Sequence, residues 1–115
     1  MAVFGCNQDG AASGRTNFLE KGCIACHAVN GVGGEVGPAF DAAQMPDPMN
    51  AFEFAARMWR GAPAMIELQE GLLGGAIELS GQELADIIAF AHDKQEQVAV
   101  TQAMIPDAYR ELAAQ

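Results

Sequence analysis

The chain has 115 residues, half of them apolar, with 15 Asp plus Glu against 6 Lys plus Arg and a formal charge of −9. This predicts one folded domain and excludes a disordered chain. The charge argues against nucleic-acid binding, which relies on basic patches, and no run approaches the ~20 apolar residues of a membrane-spanning helix.

Residues 1–13 are small, polar and Gly-containing and read as a flexible leader. No complete signal peptide is visible, so a targeting segment is expected to have been removed. Within the leader, Val3-Phe4-Gly5-Cys6 resembles a bacterial lipoprotein box, which would give a lipid anchor at Cys6. A disulfide-linked homodimer and a free thiol are the alternatives for this cysteine. A helical pattern carrying Phe18 and Leu19 runs from Gly14 to Gly22.

Residues 28–49 hold four glycines and three prolines, a density of breakers that marks an irregular loop. Asn50 to Arg60 reads as a helix, with Phe52, Ala55, Ala56 and Trp59 at helical spacing and Gly61 with Pro63 as its stop. Ala64 to Glu70 adds a turn or two before a second glycine-rich loop. Ser80 with Glu83 forms a capping box ahead of the stripe Leu84, Ile87, Ile88 and Ala91. That helix is expected to run past His92 towards Gln97. Pro106 opens a last short helix through Tyr109 and Leu112. With no convincing strand, the fold class is all-α.

Cys23-Ile24-Ala25-Cys26-His27 is a C-x-x-C-H sequence, the attachment signature of a c-type haem. Two thiols three positions apart on a helical turn reach two vinyl groups on one porphyrin edge. The adjacent imidazole then lies beneath the iron. A thioredoxin-type pair lacks its βαβ surroundings, and a zinc site lacks two nearby ligands. The expected cofactor is one covalently attached haem c per chain, with Cys23, Cys26 and His27 as its holders.

From about Gly14 to about His92 the sequence resembles a class I cytochrome c. Gly14 and Phe18 match the N-terminal helix of that family, and Ile87 and Phe90 match its C-terminal helix. Gly37-Pro38 stands where the family's proline carbonyl bonds the proximal histidine. Met58 to Met65 (MWRGAPAM) is similar to a bacterial Met-Trp-Asn-His-x-x-x-Met segment, with Arg60 and Gly61 in place of Asn-His. The resemblance implies two crossed terminal helices packed around one haem, with irregular loops. The expected organisation is a leader at 1–13, the haem domain at 14–97 and an extra C-terminal extension at 98–115 with helical character.

The resemblance also implies a distal methionine. Met65, after the Gly61–Pro63 break, is favoured over Met58, since a methionine inside a helix is most often core filler. His92 reads as a helix-end residue, and five-coordinate iron is the remaining alternative. The family's tryptophan bonds a haem propionate, a role that would fall to Trp59, with core filling as the bland reading. Arg57 and Arg60 either pair with propionates or face solvent.

The expected function is a single-electron carrier in a bacterial respiratory or redox chain, with no enzymatic constellation beside the haem. The rival readings are a haem-based gas sensor and a subunit of a larger redox complex docked through its tail. The expected partners are redox proteins with basic docking surfaces, met in the periplasm or at a membrane's outer face.

Overall fold

The computed structural model describes residues 8–115, and Cys6 lies outside them. Helix α1 spans Gln8–Glu20, α2 Ala51–Leu73, α3 Gly81–Ala91, α4 Lys94–Val98 and α5 Asp107–Ala113. Single 3₁₀ turns sit at Cys23–Ala25, Ala42–Gln44 and Gln102–Met104. Among the described residues the only β-type pairing is one bridge, Val29 with Val32.

Helices α1 and α3 cross at a point that only glycine allows. A Cβ on Gly14 would lie 1.9 Å from the Asp86 carbonyl oxygen and 2.9 Å from the Phe90 Cβ. One turn further on, Phe18 is fully buried, its ring centroid 5.2 Å from that of Phe90 and 5.0 Å from that of Phe40. Each such ring contributes on the order of 1.5–3 kcal/mol by leaving water. The helix begins at Gln8, so residues 8–13 belong to α1 and not to a flexible leader. Ala11, three residues before Gly14, shares the crossing face and is 1 % exposed.

The capping box of α3 forms as expected. The Glu83 N–H donates to Ser80 Oγ at 3.1 Å, and the Ser80 N–H donates to Glu83 Oε1 at 2.8 Å. The helix stops at Ala91 and does not run on towards Gln97, because Asp93 caps a new helix. Its Oδ1 accepts from the Glu96 N–H at 3.0 Å, and α4 starts on it. Gln97 is 1 % exposed. Its amide donates to the carbonyls of Phe40, Phe90 and Ala91, and its Oε1 accepts from the Ala42 N–H. This one side chain ties the loop after the C-x-x-C-H turn to the end of α3.

The C-terminal extension is helical at Asp107–Ala113, with Pro106 at its N-cap, and it packs back on the domain. Val100 and Ile105 are buried in one core with Phe18, Ile24, Val29 and Phe90. Tyr109 lies against that core and its hydroxyl donates to the Glu20 carbonyl at 3.4 Å. The segment is part of the core and not a free docking arm.

Helix α2 corrects two expectations. It runs unbroken for 23 residues through Gly61 and Pro63, from the Asn50 cap to Gly74 in the left-handed conformation. Pro63 removes the N–H that would bond the Trp59 carbonyl. Both residues are exposed there, so water can take that carbonyl. The inward row is Ala51, Phe54, Met58, Ala62 and Met65, each buried or half-buried. Phe52 and Trp59 lie outside it, 72 % and 80 % exposed.

Candidate functional site

The C-x-x-C-H segment closes as one tight turn. Gly22, at φ 94°, turns the chain off α1 in a conformation that favours glycine. The N–H groups of Cys26 and His27 both donate to the Cys23 carbonyl, at 3.2 and 2.9 Å. The following loop is laced to this turn. The Gly34 N–H donates to the Ile24 carbonyl at 2.9 Å, and the Gly37 N–H to the Cys26 carbonyl at 2.7 Å.

The His27 Nδ1–H donates to the Pro38 carbonyl at 2.7 Å. A carbonyl only accepts, so in the neutral imidazole Nε2 carries the free lone pair. Gly37 makes room for the ring, since a Cβ there would lie 2.4 Å from it. Burial pushes the imidazole below its ordinary 6.5, and the Pro38 bond pulls it partly back. At neutral pH the ring is therefore uncharged, with a fixed tautomer and a free Nε2 lone pair.

Both cysteines are free. Burial pushes the Cys23 thiol up to about 11 and raises the Cys26 thiol as well. These are protonated thiols, the opposite of the lowered thiolates of dithiol redox motifs. Among the described residues no three His, Cys, Asp or Glu side chains gather in a metal-holding cluster. The zinc and thioredoxin readings both lose their footing.

Facing the turn are two aromatic residues that sequence reasoning missed. The Phe40 ring lies 4.8 Å from that of His27, and the Phe54 ring meets Phe40 edge-on at 5.6 Å and 87°. Phe54 stands four residues before Met58 and eleven before Met65, on one row of α2. That spacing was the signal available in the sequence, where Phe52 drew attention instead. The two methionines are about 10.5 Å apart along the axis, at 1.5 Å per residue, so one iron can meet at most one of them.

The remaining candidates fall outside this grouping. Trp59 faces outward and fills no core. Arg57 and Arg60 are exposed and lie 3.0 and 3.8 Å from Glu53. His92 ends α3, its Nδ1–H donating to the Ile88 carbonyl at 2.7 Å, with its ring 6.3 Å from Phe54.

The donor set fits a c-type haem: two neutral thiols and one oriented imidazole share a turn, beside the aromatic pair Phe40 and Phe54. Residues 11–95 match the family model for cytochrome c. No curated protein and no solved structure matches the chain.

Proposed function

The chain belongs to the cytochrome c family, and from that premise we propose that it is a single-electron carrier in a bacterial respiratory or redox chain. The family carries haem c, held covalently, and passes electrons between redox partner proteins. When bound, the haem iron supplies the one-electron couple.

The chain's own residues do the rest. Cys23 and Cys26 would hold the porphyrin edge through their thiols. His27, its ring fixed by the Pro38 carbonyl, would hold the iron through Nε2. Phe40 and Phe54 exclude water from the histidine side. Met65, with Met58 as the rival on the same row, would supply a thioether as a second ligand. A second strong ligand would leave no open position for exogenous molecules, which suits electron transfer over chemistry at the iron.

The observation that carries this reading is the 2.7 Å His27–Pro38 bond within a turn that also holds both thiols. The acidic surface favours a basic redox partner by steering. The compartment proposed is the bacterial periplasm, soluble or anchored through Cys6.

Two measurements test the proposal. Haem staining of a denaturing gel should show colour that stays with the chain and is lost in Cys23→Ser/Cys26→Ser. A redox titration should follow a reversible one-electron curve, and the reduced protein should be unchanged by carbon monoxide. A fast carbon monoxide shift would overturn the carrier assignment in favour of gas binding.

A further inference from the structure

Phe40 joins three elements at the histidine side of the site. Its ring meets Phe18 of α1 at 5.0 Å, His27 at 4.8 Å and Phe54 of α2 at 5.6 Å. The residue is only half-buried, so packing alone does not hold it there. Its backbone is tied at both ends. The Phe40 N–H donates to the carbonyl of Ala28, the residue after His27, at 2.8 Å. The Phe40 carbonyl accepts from the Gln97 side-chain amide at 2.6 Å, the shortest of the three bonds that amide donates. Two residues on, the Ala42 N–H donates to Gln97 Oε1 at 2.8 Å.

Gln97 is 1 % exposed. Burying an amide costs free energy unless its groups are bonded, and both ends of this one are. An apolar side chain of the same length would fill the space as well. What the amide adds is a fixed position for residues 40–42.

We propose that Gln97 is a positioning residue of the haem-attachment side, which holds the Phe40 ring on His27, keeps water off that imidazole and thereby raises the reduction potential. Without the amide, the Phe40 carbonyl and the Ala42 N–H lose their partners. They regain them by moving towards water, and the Phe40 ring moves with its backbone. A more polar surrounding favours the more positively charged ferric iron, so the potential falls. His27 keeps its Pro38 bond throughout, because no part of Gln97 touches it. The inference rests on the reading above only in taking His27 as the holder of the iron. A carbon monoxide shift in the wild type would sink the carrier assignment and leave the comparison below intact.

Redox titration of the haem-loaded full chain, wild type against Gln97→Met, tests the proposal. Methionine keeps the length and removes all four bonds, and the potential should fall. Hydrogen exchange should show the cause, with the Ala42 amide exchanging roughly tenfold faster. Ile105→Ala is the control: it loosens the same core with the Gln97 bonds in place, and its potential should stay at the wild-type value. Phe40→Leu should lower the potential too, and adding Gln97→Met to it should lower it little further, since both act through one ring.

Should Gln97→Met fail to fold, Ala42→Pro is the gentler variant. It removes one bond, and Asp41 already has the extended backbone, φ −63° and ψ 124°, that a following proline needs. It should move the potential in the same direction. An unchanged potential in Gln97→Met, or in Ala42→Pro where that variant replaces it, would overturn the proposal. So would an equal fall in Ile105→Ala, or shifts of Gln97→Met and Phe40→Leu that simply add.

Discussion

Helix α1 and helix α2 both carry glycine in their interiors, and the two glycines have opposite meanings. At Gly14 the backbone of α3 occupies the space a Cβ would need, whereas nothing lies within 4 Å of a Cβ on Gly61. The first helix is locked into a crossing with α3 and the C-terminal segment. The second meets the body through a single row led by Phe54, and most of its last two turns are exposed. The protein builds its haem-attachment side from its own contacts. The α2 side carries a row with two half-buried methionines, Met58 and Met65.

The largest expected effect lies at the crossing. Gly14→Val would push α1 off α3 and cost more than about 3 kcal/mol, beyond ordinary overpacking, since the clash is with backbone. Chemical denaturation of the haem-loaded protein should show it unfolded or close to unfolded. Ile105→Ala, in the C-terminal segment, should cost about 2–4 kcal/mol by leaving a cavity in the same core. A loss under about 0.5 kcal/mol would instead show that segment to be an appendage.

Smaller effects sharpen the contrast. Ser80→Ala removes one half of the α3 capping box and should cost about 1 kcal/mol. Gly61→Ala should stabilise α2 by about 0.5–1 kcal/mol, because the helix there is open and alanine has the better propensity. Loss of stability at this position would mean that α2 is packed where the structure leaves it exposed.

The smallest effect is a pH dependence at Glu83. Its carboxyl is held below the ordinary 4.5, first by the Ser80 N–H and then by Lys21. A lowered folded value means that the unfolded chain takes up the proton first. The stabilisation is therefore complete above about 4.5 and lost as pH falls through the lowered folded value. Glu83→Gln should flatten this acid-side slope in denaturation curves taken at successive pH values.

How much of this was legible in the sequence depended on how local the signal was. The capping box at Ser80 and Glu83 and the C-x-x-C-H turn declare themselves within five residues. Gly14, Phe18, Ile87 and Phe90 were readable as a crossing only through the family resemblance, and so was the Pro38 carbonyl on His27. The start of α1 was hidden, because Ala11 is buried by α3, far away in the chain.

Helix α2 was misread for two physical reasons. Gly61 and Pro63 are breakers by propensity, yet an exposed helix can leave the freed carbonyl to water. The helix also carries apolar residues on two rows, so periodicity alone could not say which row faces in. Phe52 and Trp59 were as plausible as Phe54 and Met58 until packing decided between them.

The inward row of α2 is proposed to supply the second ligand to an iron held by His27. The most direct test compares the optical spectra of oxidised wild type, Met65→Ala and Met58→Ala. A weak long-wavelength sulfur-to-iron charge-transfer band is expected in the wild type, absent from Met65→Ala and retained in Met58→Ala. Loss only in Met58→Ala would move the ligand one step along the same row. Retention of the band in both variants, or its absence from the wild type, would rule out ligation from this row.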